Sequence, residues 1–95
     1  MNDQARVHVI VQGRVQGVGF RYFTYQIAQT LNLVGWVRNR WDESVEIRAE
    51  GPREALETFL IKVHHGSRSA FVTHLDTIWE TPTGEFQAFK IAETD

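Results

Sequence analysis

The stretch Arg6–Leu31, RVHVIVQGRVQGVGFRYFTYQIAQTL, carries two hydrophobic periods joined by a glycine-rich loop. From Arg6 to Gln12, Val7, Val9 and Val11 alternate with His8, Ile10 and Gln12, which is the period-two pattern of a strand with one buried face. From Phe20 onward the period changes. Phe20, Phe23, Thr24, Ile27, Ala28 and Leu31 recur at helical spacing and predict a helix from about Arg21 to Leu31. Asn32, which tolerates a left-handed backbone, is suited to end it.

Outward from this unit, Val34 to Arg40 and Ser44 to Glu50 read as two further strands. Only Trp41, Asp42 and Glu43 separate them, so they form a hairpin. In the third strand Val45, Ile47 and Ala49 are expected to point inward, with Glu46, Arg48 and Glu50 outward. Gly51-Pro52 is expected to start a second helix, with Pro at its first position. Ala55, Leu56, Phe59, Leu60 and Val63 form its apolar stripe, and Gly66 stops it. Val72 to Glu80 predicts a fourth strand. Phe86 to Ile91 predicts a short strand returning beside it, with Pro82 and Gly84 in the turn. Met1 to Ala5 and Glu93 to Asp95 are polar and are expected to fray.

The order β-α-β-β-α-β, with an extra C-terminal strand, predicts an α+β architecture. It is a ferredoxin-like split βαβ sandwich, an antiparallel sheet with two helices on one face. That fold serves enzymes, RNA binders and metal carriers, so it does not decide function. The 95 residues fit a single domain, 1–95, and 42% apolar content supplies one modest core. There is no Cys, which excludes disulfides, thiolate catalysis and Cys-based metal sites. The net charge of -2 weighs against a nucleic-acid partner. Neither a secretory signal nor a membrane-spanning run is present, so a soluble cytoplasmic protein with no membrane partner is expected.

The chemistry concentrates in the loop. Gly13, Gly17 and Gly19 permit positive φ and let successive backbone N–H groups converge on one point. A helix N-terminus adds free donors and a positive partial charge. Arg21, in the first helical turn, offers a planar fork that matches two phosphate oxygens. The loop lacks the Gly-Lys-Ser/Thr of a nucleotide-triphosphate loop. It also fails the dinucleotide fingerprint, because Tyr22 stands where the last Gly belongs. A plain strand-to-helix turn with an exposed arginine has the same composition, and composition alone does not separate the two. Asn39 is the second candidate. It shares strand parity with Gly35 and Val37, so it faces the helices if Val37 does, and its carboxamide can orient a water. Capping of turn backbone is the simpler role for an Asn so placed.

Gly13–Arg21, GRVQGVGFR, resembles the first acylphosphatase signature, and Gly35-Trp36-Val37-Arg38-Asn39 resembles the second. Val45, Gly51-Pro52 and the Ala55 to Phe59 spacing continue that family's pattern, and the similarity runs from about Val7 to Ile91. The resemblance implies hydrolysis of carboxyl-phosphate anhydrides to a carboxylate and inorganic phosphate. It implies Arg21 as the phosphate-binding arginine and Asn39 as the residue that positions water. It makes Gln16, Gly17, Val18, Gly19 and Phe20 the backbone cradle. The expected partners are a small acyl phosphate as substrate and inorganic phosphate as product, with no cofactor and no metal, and the expected assembly is a monomer. Two positions depart from the pattern. Glu43 stands where the family usually has Gly, so the hairpin beside Asn39 is expected to change in type or length. Ser67 follows Gly66, where many relatives have Pro.

Other residues admit bland readings. His64 and His65 suit the negative end of the second helix. His8 and His74 lie on separate strands. Asp42 and Glu43 solvate the hairpin tip, and Trp36, Trp41 and Trp79 serve as packing or sheet-face residues. Two rival functions keep the same element order. GVGFRYF is superficially similar to the RNP1 motif of RNA-recognition modules, but that motif belongs on a central strand and here it opens a helix. A non-catalytic anion-sensing domain would keep the cradle, yet would not need Asn39 beside it.

Overall fold

The computed structural model describes residues 3–95. Its elements are β1 (Gln4–Arg14), α1 (Phe20–Thr30), β2 (Val34–Asn39), β3 (Val45–Pro52), α2 (Arg53–His65), β4 (Phe71–Glu80) and β5 (Phe89–Ile91). They form one five-stranded sheet of order β4-β1-β3-β2-β5. The first four strands pair antiparallel, as the split βαβ arrangement requires. Helices α1 and α2 pack on one face.

The core follows the predicted alternation. Val7, Val9 and Val11 of β1 stand opposite Ala49, Ile47 and Val45 of β3, and Val37 of β2 stands opposite Ile47. All of these are completely buried. The helices contribute Phe20, Thr24 and Ala28 from α1, and Leu56, Phe59 and Val63 from α2. Asn32 has φ 56, and the Leu33 N–H donates to Ala28 O at 2.9 Å, which closes α1 in the expected left-handed way. Pro52 ends β3 and precedes the first helical residue Arg53, one place earlier than its predicted role.

The fifth strand differs from expectation. Only Phe89–Ile91 is extended, and it pairs parallel with β2 at the opposite edge from β4, so the sheet is mixed. The cause is Glu50. Its carboxylate accepts from Thr83 N–H at 3.1 Å and from Gly84 N–H at 2.7 Å. Arg6 reinforces this hold. Its guanidinium donates to Glu80, Thr83 and Glu85 and lies over the Phe86 ring, 4.8 Å from the centroid. The segment after β4 is thereby drawn across the helix-free face, and Gly35 N–H donates to Ala88 O at 3.0 Å as it reaches β2. Glu50 and Glu46 do point outward, yet both are buried, because partners cover them. A carboxylate out of water needs such partners, since an unpaired buried charge costs several kcal/mol.

The β2–β3 hairpin has the three-residue loop that the strand spacing predicts. The Glu43 N–H donates to Arg40 O at 3.1 Å, and the Arg40 N–H donates to Ser44 O at 2.9 Å. This encloses the three-residue loop Trp41–Glu43, with Glu43 itself left-handed at φ 74. Glutamate thus adopts the conformation that glycine takes freely, at a cost in energy. Glu43→Gly is expected to stabilise the protein by about 0.5–1 kcal/mol. Thermal unfolding should show this as a rise of a few degrees in Tm, and a fall would contradict it.

Glu46 gives a pH dependence of known sign. Burial pushes its carboxyl pKa up, but hydrogen bonds from His8 (2.6 Å) and Arg38 (2.9 Å) outweigh that and leave it below the ordinary value of 4.5. The unfolded chain therefore binds the proton first, so this stabilisation is present above about pH 4.5 and is lost as the pH falls below it. Thermal midpoints measured on acidification should drop less steeply in Glu46→Gln, from a lower neutral starting point. Parallel profiles for the two proteins would remove Glu46 from the account.

Candidate active site

The loop between β1 and α1 is anchored at both ends by core residues, Val15 and Phe20, each 1% exposed. Between them Gly17 and Gly19 have φ 73 and φ 75, so both sit in the left-handed region that glycine enters without strain. Gly13 serves a different purpose from the one expected. A Cβ there would lie 2.1 Å from Phe71 O, at the register shift where β1 meets β4. It permits the sheet to close rather than lining the cradle.

Gly19 occupies the N-cap of α1, where no side chain caps the helix, and the first turn contains no acid. The first capping bond is Phe23 N–H to Gly19 O at 3.0 Å. The amides of Phe20, Arg21 and Tyr22 accordingly have no carbonyl one turn back to receive them. Their dipoles make this end of the helix positive. Arg21 is half-buried beside it. No carboxylate among the described residues pairs with Arg21, Arg14 or Arg68, whereas Arg6, Arg38, Arg40, Arg48 and Arg53 have acidic partners; of the three without one, Arg21 is the one that lines the recess at the helix end. Gly17, Gly19 and Arg21 line one recess of about 210 Å³, with Tyr22 and Ile91 on its rim. A larger cavity of about 480 Å³ lies over Trp36 and Arg38, which belong to the outward face of β2.

Gln16 does more than lend its backbone. Its carboxamide donates to Arg40 O and to Ser44 O, both at 2.8 Å. It thereby fastens the loop to the hairpin that follows Asn39. Asp42 stiffens the same hairpin by accepting from the Ser44 N–H at 3.0 Å and from its hydroxyl at 2.5 Å. A glutamine within a glycine-rich loop gives no sign of this in sequence, because the partners are backbone carbonyls more than twenty residues away.

Asn39 ends β2 opposite Val45, on the helix-facing side, as its parity with Val37 requires. It does not line the recess that contains Arg21. Its Oδ1 is buried and accepts no hydrogen bond from the described residues. Leaving such an acceptor unmatched costs about 1–3 kcal/mol, so its presence calls for an explanation. The expectation that residues 93–95 fray is overturned here. Asp95 N–H donates to Asn39 O at 3.1 Å, Trp41 N–H donates to Asp95 O at 3.0 Å, and the Asp95 carboxylate lies 3.3 Å from Arg38. Residues 4 and 5 belong to β1 rather than to a frayed end, while Met1 and Asn2 lie outside the described residues.

The remaining candidates fall elsewhere. Trp36 stacks under Arg38 at 4.6 Å on the outward face. Trp41 is 82% exposed at the hairpin tip, so it is not the packing residue expected. His8 pairs with Glu46 and His74 with Asp76. Among the described residues no three His, Asp or Glu side chains converge to hold a metal ion. None of the described helices is long and apolar enough to cross a membrane. The aromatic run Phe20–Tyr25 opens α1 and is not on a central strand, which is where an RNP1 motif would have to lie.

Comparison with known proteins bears on the family and the fold. The family model for acylphosphatases matches residues 7–91. The acylphosphatase of Salinibacter ruber is 46% identical over 88 residues, covering 93% of each chain. That of Syntrophotalea carbinolica is 48% identical over 86 residues, covering 90% of this chain and 94% of the relative. The crystal structure of acylphosphatase from Bacillus subtilis superposes with a TM-score of 0.90 at 43% identity, over 93% of this chain and 98% of that one. A match across nearly the whole chain, at this identity and with the same fold, means that the chain belongs to the acylphosphatase family.

Proposed function

We propose that this protein hydrolyses acyl phosphates to a carboxylate and inorganic phosphate, with Arg21 and the Gln16–Phe20 backbone holding the phosphoryl group and Asn39 orienting the attacking water. The observation that carries the reading is the pairing of an acid-free, uncapped helix N-terminus with an arginine that has no carboxylate partner, both on one recess. Two positive features left uncompensated side by side suit a dianionic phosphoryl group.

The chemistry asks little more of the protein. The leaving carboxylate has an acid pKa of roughly 4, so it departs without a strong general acid. Water attacks phosphorus, the bond to the acyl oxygen breaks, and its electron pair leaves with the carboxylate. A neutral carboxamide is a poor base, so the proton of the water passes to a phosphoryl oxygen. Binding and orientation then supply the rate, with Arg21 and the amides balancing charge in the transition state. The Oδ1 of Asn39 has no donor among the described residues, so a water that reaches this strand end finds an acceptor there, which anion sensing alone does not require.

Arg21→Ala is expected to lower kcat/KM on a model acyl phosphate, without added metal, by at least about 10²–10³-fold. Full activity in a folded Arg21→Ala protein would sink the assignment. Asn39→Ala should cut kcat strongly while inhibition by inorganic phosphate persists. Equal weakening of both would make Asn39 a binding group instead.

Gln16→Ala keeps the backbone cradle but releases the hairpin. It is expected to reduce kcat/KM by on the order of 10²-fold, the loss that an ångström-scale misplacement brings. It should also lower Tm, because two carbonyls lose their donor. Unchanged turnover would show that the fastening has no catalytic consequence.

A further inference from the structure

The recess that holds Arg21 has an apolar lip, and we propose that this lip, Tyr22 and Ile91, receives the acyl portion of the substrate and selects aromatic or bulky aliphatic acyl phosphates over small ones. The proposal rests on the reading of Gly17–Arg21 as the phosphoryl cradle. Tyr22 is 57% exposed and Ile91 is 43% exposed, yet both line the same recess as Gly17, Gly19 and Arg21. They come from different elements. Tyr22 sits in the first turn of α1, whereas Ile91 ends β5.

The lip is preorganised. The ring of Tyr22 stacks on Tyr25 at 6.0 Å with an interplanar angle of 21°, and Tyr25 in turn meets Phe89 at 6.4 Å. Phe89 is buried against Phe59 and fixes the helix-facing side of β5. Ile91 lies two residues further along, opposite Val37, and therefore shares that side. An acyl carbon is separated from phosphorus by a single oxygen, so the group attached to it must leave the cradle past its rim. Main-chain glycines offer nothing apolar there. Tyr22 and Ile91 offer a flat ring and a branched aliphatic side chain. Covering them with the acyl group removes apolar surface from water on both partners. The larger cavity over Trp36 and Arg38 also reaches Ile91, but it contains none of Gly17, Gly19, Arg21 or Tyr22, so Tyr22 is the part of the lip that belongs to the recess alone.

The experiment compares kcat/KM for benzoyl phosphate and acetyl phosphate in the wild type, Tyr22→Ala, Tyr22→Phe and Ile91→Ala, with the inhibition constant for inorganic phosphate measured alongside. The expected result is that Tyr22→Ala and Ile91→Ala each lower the benzoyl-to-acetyl ratio by about tenfold, the scale of a hydrophobic pocket contact. Tyr22→Phe should keep the ratio, and the phosphate inhibition constant should change far less than the ratio does. A ratio that stays at its wild-type value in both alanine variants would overturn the lip. So would a fall in phosphate affinity that accounts for the whole effect. Hydrolysis of neither compound by the wild type would overturn the hydrolytic reading and this proposal with it. Hydrolysis of both with an unmoved ratio would overturn this proposal alone.

Discussion

Strand β3 lies between β1 and β2 and runs against both, so β1 and β2 point the same way. The loop that leaves β1 and the residue that ends β2 are thus delivered to one end of the sheet. They are two strand spacings apart, about 10 Å. Everything at the candidate site follows from how that gap is spanned. α1 returns from the loop across the helix-facing side, and the Gln16 carboxamide reaches the Arg40 and Ser44 carbonyls. A side chain with two amide hydrogens meets two carbonyls that converge at the base of a three-residue hairpin loop. The left-handed Glu43 matters for the same reason, since its turn sets where those carbonyls lie.

The electrostatics divide between the two faces and ends of the sheet. Glu46, Glu50 and Glu80 lie on the helix-free face, each paired with Arg6, Arg38, Arg48 or His8. Charge there is locally neutralised and holds the crossing segment after β4. At the loop the balance is reversed, with a positive helix end, one arginine and no acid in the first turn. The net charge of -2 therefore says little about what the loop can bind. Glu46, Glu50 and Glu80 are committed to partners on the helix-free face, and a charge already paired projects little field.

Much of this was legible in sequence for a simple reason. Periodicity reports which way a side chain faces, and facing is what builds the core. Val7, Val9, Val11, Ile47 and Phe59 were all placed by spacing alone, and the parity of Val37 carried Asn39 to the helix-facing side. Periodicity does not report which strand lies next to which. The β5 stretch was assigned to the wrong edge because its course depends on Glu50 binding the Thr83 and Gly84 amides, a contact between distant residues. The same blindness hid the burial of Glu46 and Glu50, the bond from Asp95 to Asn39, and the reach of Gln16. Each is a polar side chain or terminus whose meaning depends on a partner found only after folding. Gly13 takes the expected positive φ, 128°, but its crowding by Phe71 comes from the neighbouring strand, which its own loop does not reveal.

The placement of β1 has a consequence in time as well as in space. Its ladder with β4 contains no pair closer in sequence than Arg14 and Phe71, so this interior strand acquires its second neighbour only after most of the chain has closed into a loop. Non-local pairing of this kind slows folding, whereas the β2–β3 hairpin can form within about 1–10 μs. The carbonyls that receive Gln16 are accordingly ready early, and the loop that must reach them becomes rigid late. The recess beside Arg21 takes Ile91 of β5 into its lining, so a nascent chain completes that recess only once its last strand has emerged.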